Sequence, residues 1–194
     1  MKHISYFLPK KIVIADGEIY NEQSLLRKKT SQIGLNESDV ATVNGKCRLV
    51  FDFGEEICGC VRILVHYANG IEPVRIRFGE SLTEAITPLG VKNATNDHSA
   101  RDFLADIPQL SDGRFGQTGF RYVCLEFSGG TYRIKKIVAE SESDYPFVYG
   151  SFECSDSRVN DIYSVACKTL FLCLQNYMIW DGIKRDRLVW IGDL

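Results

Sequence analysis

The spacing of apolar residues changes once along this chain, and that change limits the folds available to it. Between residues 46 and 140 apolar and polar residues alternate, which is the period of a half-buried β-strand. The alternating runs are residues 49–53, 61–67, 74–78, 120–127 and 132–139. Turn sequences, Asn69-Gly70 and Ser128-Gly129-Gly130, separate them. We therefore predict a mainly β fold, an antiparallel, jelly-roll-like β-sandwich over residues 46–150.

A long helix is predicted after Ser155, where apolar residues begin to recur at intervals of three and four. These residues are Val159, Ile162, Tyr163, Ala166, Leu170, Leu174 and Tyr177. Either Ser155 or Asp156 is a suitable N-cap, and the pattern extends the helix over residues 156–178. Strands followed by a helix are typical of a β domain followed by an α domain. We assign residues 151–194 to the start of an α-helical domain and expect that domain to be incomplete, because the apolar face has no helical partner in the sequence.

Two polar segments lie outside these elements. Residues 1–45 are predicted to hold a strand at 11–15 and an irregular or partly helical connection at 21–41. Residues 80–119 form a long connection, which in a compact domain is usually functional or disordered. Its polar cluster comprises Asn93, Asn96, Asp97, His98, Arg101 and Asp102. Such a cluster suits sugar hydroxyls or a cation, and the plainer alternative is a solvated loop whose Asx side chains cap its own turns.

Composition excludes several classes of function. A formal net charge of -2 over 194 residues gives no reason to expect a nucleic-acid partner. No apolar run approaches the roughly 20 residues of a membrane span, and the first residues do not read as a signal peptide, so we expect a cytoplasmic or periplasmic protein. Seven cysteines without a CxxC pair indicate buried thiols rather than disulfides, and Cys58-Gly59-Cys60 alone does not make a zinc site. No metal or cofactor is predicted.

Charged and aromatic residues are most concentrated at positions 180–194. The segment holds three acids, three cations and two tryptophans: Asp181, Asp186 and Asp193; Lys184, Arg185 and Arg187; Trp180 and Trp190. Neighbouring carboxyl groups whose pKa values are driven apart supply acid and base roles in glycosidases. Arginines and carboxylates also hydrogen-bond sugar hydroxyls, while tryptophan stacks on the C–H face of a pyranose. These residue types suit a carbohydrate subsite, and the alternative is a surface loop of exposed ion pairs, each contributing about 0–1 kcal/mol.

The order of these residues resembles the active-site motif of bacterial α-L-rhamnosidases. That motif runs acid, three spacers, Arg-acid-Arg, and then Trp-x-Gly-Asp, and it is matched from Asp181 to Asp193. Residues 152–176 are also similar to the first helix of the family's catalytic barrel. Three further segments resemble the β-sandwich that precedes the barrel in that family: residues 51–55, 77–82 and 119–123. The resemblance covers most of residues 46–194.

The resemblance implies a function and a role for each residue. The family's catalytic domain is an (α/α)6 barrel that hydrolyses terminal α-L-rhamnose with inversion of the anomeric centre. By position, Asp186 is the general acid, although many relatives carry the longer Glu there. Asp181, Arg185, Trp190 and Asp193 are then substrate-binding residues. The family's general base is a glutamate further along the barrel than residue 194, so the 194 residues alone are expected to be inactive.

Two other functions remain open from the sequence. The sandwich is either a non-catalytic carbohydrate-binding module or a structural linker domain without a ligand. In the enzyme interpretation the partner is a rhamnose-containing carbohydrate. The sequence does not predict an oligomeric state.

Overall fold

The computed structural model describes residues 3–29, 39–70, 72–91, 99–143, 150–176, 178–184 and 187–193. Within these residues the strands are β1 His3–Phe7, β2 Lys11–Tyr20, β3 Ala41–Ala68, β4 Val74–Gly79, β5 Asp102–Ala105, β6 Ser111–Phe127, β7 Thr131–Ser143, β8 Leu174–Gln175 and β9 Met178–Ile179. The α-helices are α1 Leu82–Ile86 and α2 Ser157–Cys173. Short 3-10 helices cover Glu22–Leu26, Ser99–Arg101 and Ile191–Asp193.

The main sheet is antiparallel and folds over on itself. Its strand order is β1-β7-β3-β6-β4-β5, and β2 pairs with β3. The start of β7 pairs with both ends of β3: Tyr132 lies opposite Val43 on one side and Ala68 on the other. One strand can flank both sides of its neighbour only if the sheet bends into two layers. The predicted antiparallel β-sandwich is therefore confirmed, and the segment before residue 46 adds β1 and β2 to it.

The bend in β3 is built by the sequence Asp52-Phe53-Gly54. The register between β3 and β6 is broken between Asp52 and Ile57, and Gly54 has φ 83°, where a side chain would be strained. The Asp52 carboxylate accepts hydrogen bonds from the Gly54 amide at 2.7 Å and from Arg121 at 2.8 and 3.0 Å. The Arg121 hydrogen bond, more than any other contact, lowers the pKa of Asp52 and keeps the buried carboxylate ionised.

The core lies between the two layers and is mostly aliphatic, with a cluster of phenylalanine rings inside it. Phe51, Phe53, Phe78 and Phe120 are all fully buried. The Phe120 ring lies 5.8 Å from that of Phe53 and 4.8 Å from that of Phe78, measured between centroids. Edge and tilted contacts at these distances add to the gain from removing the rings from water. The alternating runs in the sequence thus correspond to β3, β4 and β6, the strands that supply these rings.

The prediction of a long connection over residues 80–119 is wrong, because most of the described residues in this range form helices and strands. Ser81 caps α1, accepting a hydrogen bond from the Glu84 amide at 3.2 Å, and β6 already begins at Ser111. Arg101 is fully buried and donates to the carbonyl oxygens of Glu84 and Thr87 at 3.1 and 2.9 Å. Asp102 binds Arg75 through both oxygens, at 2.7 and 3.1 Å. These two members of the predicted polar cluster are structural, and the other four lie outside the described residues: Asn93, Asn96, Asp97 and His98.

The predicted helix is present but ends earlier than residue 178. Asp156, one of the two residues predicted as the N-cap, accepts a hydrogen bond from the Arg158 amide at 2.9 Å and caps the helix. After Cys173 the chain turns extended, Asn176 has φ 52°, and a short β8–β9 hairpin follows. The described helix α2 contains no buried side chain. Among the described residues no helix combines the length and the apolar character that a bilayer crossing requires.

The cysteine residues all carry free thiols. Burial raises the pKa values of Cys58, Cys60 and Cys124 to about 11, so these thiols stay neutral at physiological pH. Neutral, buried thiols are weak nucleophiles and act in packing.

Candidate carbohydrate site at the terminal loop

Residues 180–193, the terminal loop, are closed by Asp181. The Asp181 amide donates to the Leu188 carbonyl oxygen at 2.8 Å. The Asp181 carboxylate accepts from the Leu188 amide at 3.0 Å and from the indole Nε1 of Trp190 at 3.0 Å. The first acid of the motif therefore fixes the position of its tryptophan.

The aromatic rings of the loop have different surroundings. Trp190 is 54% exposed although its N–H group is bound, so part of its ring remains available to a ligand. The Arg187 guanidinium carbon lies 5.8 Å from the centre of the Trp180 ring, within the range of a cation–π contact. Arg187 also donates to the carbonyl oxygen of Gln117 in β6. Arg187 therefore links the loop to the sandwich, while Trp190 offers a surface.

Two buried residues dock the loop on the sandwich. Lys184 places its Nζ 2.6 Å from Glu84 Oε2 and 3.1 Å from Glu80 Oε2. Ile183 packs over Gly119, where an added Cβ would come within 2.4 Å of the Ile183 Cγ1. In the motif both loop residues stand at spacer positions, and their partners lie 64 to 104 residues away in sequence. Sequence patterns do not reveal these contacts, because only the fold brings the two segments together.

A cavity of about 340 Å³ lies between helix α2, the terminal loop and the sandwich. Val165, Leu172 and Ile183 form part of its apolar wall, and Glu56, Glu80 and Asp181 contribute carboxyl groups. Burial, reinforced by the nearby Glu80 carboxylate, raises the pKa of Glu56 to about 8. Glu56 was also missed by the sequence analysis. Its only signal was its position as the second of two acids after the Gly54 bend.

The structure brings together only some of the predicted site residues. Asp181 and Trp190 are in direct contact, at 3.0 Å. Arg185 and Asp186 lie outside the described residues, as does the side chain of Asp193. The role of Asp186 as general acid therefore stays a prediction.

A second, larger concavity lies on the outer face of the sandwich. Its volume is about 550 Å³, and a row of paired residues crosses it: Asp16, Arg48, Glu126 and Arg75. The charged side chains here form ion pairs within the sandwich: Arg48 lies 2.9 Å from Glu126, and Arg75 binds Asp102. Among the described residues no group of three or more His, Cys, Asp or Glu side chains is placed to hold a metal ion. The terminal loop is thus the better candidate site.

The fold resembles those of solved rhamnosidases. The rhamnosidase from Klebsiella oxytoca with rhamnose bound matches 100% of this chain and 39% of its own, with a TM-score of 0.72 and 21% identity. The rhamnosidase of Bacillus sp. GL1 matches 88% of this chain and 17% of its own, at TM-score 0.67 and 20% identity. The α-L-rhamnosidase from Dictyoglumus thermophilum matches 78% of this chain and 18% of its own, at TM-score 0.55 and 22% identity.

These likenesses establish the fold of the chain, a β-sandwich followed by a helix and loop. The chain spans well under half the length of each of the three proteins, at most 39%. No protein-family model and no curated protein sequence matches it.

Proposed function

We propose that this chain belongs to a glycoside hydrolase that removes terminal α-L-rhamnose from glycans or glycosides with inversion. The strands β1 to β7 form its sandwich domain, and residues 151–194 begin an (α/α)6 catalytic barrel. The observation that carries the proposal is the Asp181–Trp190 contact. The Asp181 carboxylate accepts a hydrogen bond of 3.0 Å from the indole N–H of Trp190, whose ring is exposed. This pair lies inside a motif that resembles the rhamnosidase motif. The similarity of the fold to rhamnosidase structures over the whole chain supports the same proposal.

In this proposal Trp190 stacks on the apolar face of the sugar ring. Asp181 holds the indole and accepts a hydrogen bond from a sugar hydroxyl, and Arg185 and Asp193 bind further hydroxyls. Asp186 gives its proton to the glycosidic oxygen as the bond to the anomeric carbon breaks. A water molecule attacks that carbon from the opposite face and loses its proton to a second carboxylate. In inverting enzymes the two carboxyl groups stand about 6.5–9.5 Å apart to make room for that water.

The direct test is the stereochemistry of the reaction. The protein expressed from its complete reading frame is incubated with 4-nitrophenyl α-L-rhamnoside, and the released sugar is followed by ¹H NMR from the first minutes. We expect β-L-rhamnose to form first and then to equilibrate with the α anomer. Early α-L-rhamnose would contradict inversion. Rhamnose binding without any hydrolysis would instead favour the alternative of a carbohydrate-binding module.

The role of Asp186 is tested with leaving groups of different quality. Asp186→Asn keeps the shape of the side chain and loses the acidic proton. We expect kcat to fall by roughly 100-fold or more on substrates with poor leaving groups. Activated aryl leaving groups need little protonation and should suffer less. Asp181→Asn is the matched control, since a binding residue should lower activity on both substrates alike.

An equal loss on both substrates for Asp186→Asn would make Asp186 a binding or structural residue.

The 194-residue chain provides a further comparison in the same assay. We expect it to give no turnover, because in the resembling family the general base is supplied from further along the barrel.

A further inference from the structure

One carboxyl group of the sandwich faces the cavity beside the terminal loop. Glu56 follows the bend of β3, at the register break between Asp52 and Ile57. Its Oε1 atom is buried and has no hydrogen-bond partner among the described residues. Gly119, whose missing side chain leaves room here, would place a Cβ 3.3 Å from that oxygen. A buried polar atom without a partner is costly, so such an atom in a cavity points to a ligand or water.

The cations near Glu56 are each engaged by another carboxylate. Lys184 binds Glu80 and Glu84, Lys168 binds Glu55, and Arg121 binds Asp52. Glu56 is therefore left beside acids without an ion-pair partner of its own among the described residues. The carboxyl is kept protonated at neutral pH, with the pKa raised to about 8 by burial first and by Glu80 second.

The two thiols near Glu56 do not titrate in the same range. Burial raises the pKa values of Cys58, to about 11, and of Cys173 in helix α2, so both remain neutral thiols. Asp181 lines the same cavity from the terminal loop, and its carboxylate is hydrogen-bonded to the Trp190 indole. A change between pH 7 and pH 9 in this cavity is therefore expected to come from Glu56.

We propose that Glu56 completes the sugar site from the sandwich side, donating its carboxyl proton in a hydrogen bond to a hydroxyl group of a neutral monosaccharide in this cavity. The inference rests on the proposed function and adds a binding residue from a domain outside the motif. A neutral ligand is favoured because the cations beside the cavity, Lys168 and Lys184, are already paired with Glu55, Glu80 and Glu84. The volume of about 340 Å³ lies at the lower end for small-molecule sites, which suits one sugar ring. Val165, Leu172 and Ile183 line the cavity with apolar side chains.

The test measures affinity for L-rhamnose by calorimetry at pH values from 6.5 to 9.5, using the protein from the complete reading frame. For the wild type we expect about tenfold weaker binding at pH 9 than at pH 7. A carboxyl group whose pKa is about 8 is mostly protonated at pH 7 and only about one-tenth protonated at pH 9. Glu56→Gln keeps a donor that does not titrate, so its binding should persist and lose most of this pH dependence. Glu56→Leu should bind at least tenfold more weakly at pH 7.

Glu55→Gln is the matched control, because this neighbouring acid pairs with Lys168 and is partly exposed. It should reproduce the wild-type pH profile. The inference is overturned, and the proposed function stands, if rhamnose binds equally well to all variants or if Glu56→Gln keeps the wild-type pH dependence. If the wild type neither binds nor hydrolyses rhamnosides, the proposed function fails and this inference fails with it. Because Glu56→Gln preserves side-chain shape, it decides the question even if Glu56→Leu does not fold.

Discussion

The sandwich and the terminal helix with its loop are held together by different forces. In the sandwich, core residues of β3, β4 and β6 such as Phe51, Ile76 and Phe120 have no exposed surface. Helix α2 has no buried side chain, and Ile162 and Val165 are 64% and 66% exposed. The sandwich thus carries its own hydrophobic core. The terminal part depends on a small number of contacts made by the loop, chiefly those of Ile183 and Lys184.

This difference places the candidate site at a junction. The Trp190 surface belongs to the terminal loop, while the groups that hold the loop belong to the sandwich. A change in the sandwich can therefore alter the site without touching the motif. A change on the outer surface of α2 should alter neither.

The largest expected effect is in the sandwich core. Phe120→Ala removes a buried ring that contacts Phe53 and Phe78 and should cost about 3–5 kcal/mol of unfolding free energy. Ile162→Ala in α2 is the control and should change stability by no more than about 0.5 kcal/mol. Urea unfolding followed by circular dichroism measures both. Similar losses for the two variants would mean that α2 packs as tightly as the core.

The next effect concerns the buried cation that docks the loop. Lys184→Met leaves Glu84 buried without its closest cation and should cost about 3 kcal/mol. The altered loop should also become the first site of limited proteolysis. Lys168→Met removes an ion pair with Glu55 whose side chains are about 40% exposed, and should cost about 0–1 kcal/mol. Equal effects of the two changes would remove the distinction between the buried and the exposed contact.

A smaller effect is expected where the loop packs on the sandwich. Gly119→Ala places a methyl group against Ile183 and should cost about 1–3 kcal/mol by overpacking. Adding Ile183→Ala should recover part of that loss, because it restores the space. Gly129→Ala has no atom within 4 Å of the new methyl and serves as the control. If the double variant is no more stable than Gly119→Ala, the strain does not arise from Ile183.

The smallest expected effect lies within the loop. Asp181→Asn weakens the hydrogen bonds to the Leu188 amide and the Trp190 indole and should cost about 1 kcal/mol. The sharper readout is the NMR signal of the Trp190 indole N–H, which should broaden or move. An unchanged indole signal would show that Asp181 does not fix this ring.

The sequence predicted those parts of the fold that rest on local periodicity. Alternation identified β3, β4, β6 and β7 because one face of each strand packs into the main hydrophobic core. The helix was extended too far because Leu174 continues the apolar spacing, although its backbone is extended and enters β8. The charges of Arg101 and Asp102 suggested a solvated loop, yet both are satisfied by partners distant in the sequence.

In the candidate site, too, the sequence predicted the residues within one local motif and missed those that depend on distant contacts. The motif identified Asp181 and Trp190, and the structure brings them into contact. The contributions of Glu56, Glu84 and Lys184 were invisible because they depend on contacts across as many as 100 residues. Isolated acids in a sequence do not reveal whether the fold will bury them.

The most direct test of the central claim is a titration of the ¹⁵N-labelled protein with L-rhamnose, following the indole N–H signals of Trp180 and Trp190. The account predicts a saturable shift of the Trp190 signal, absent with D-glucose and lost in Asp181→Asn. If Trp190 stays unchanged while backbone signals of Arg48 and Arg75 on the outer face of the sandwich respond, then the terminal loop is not the sugar site.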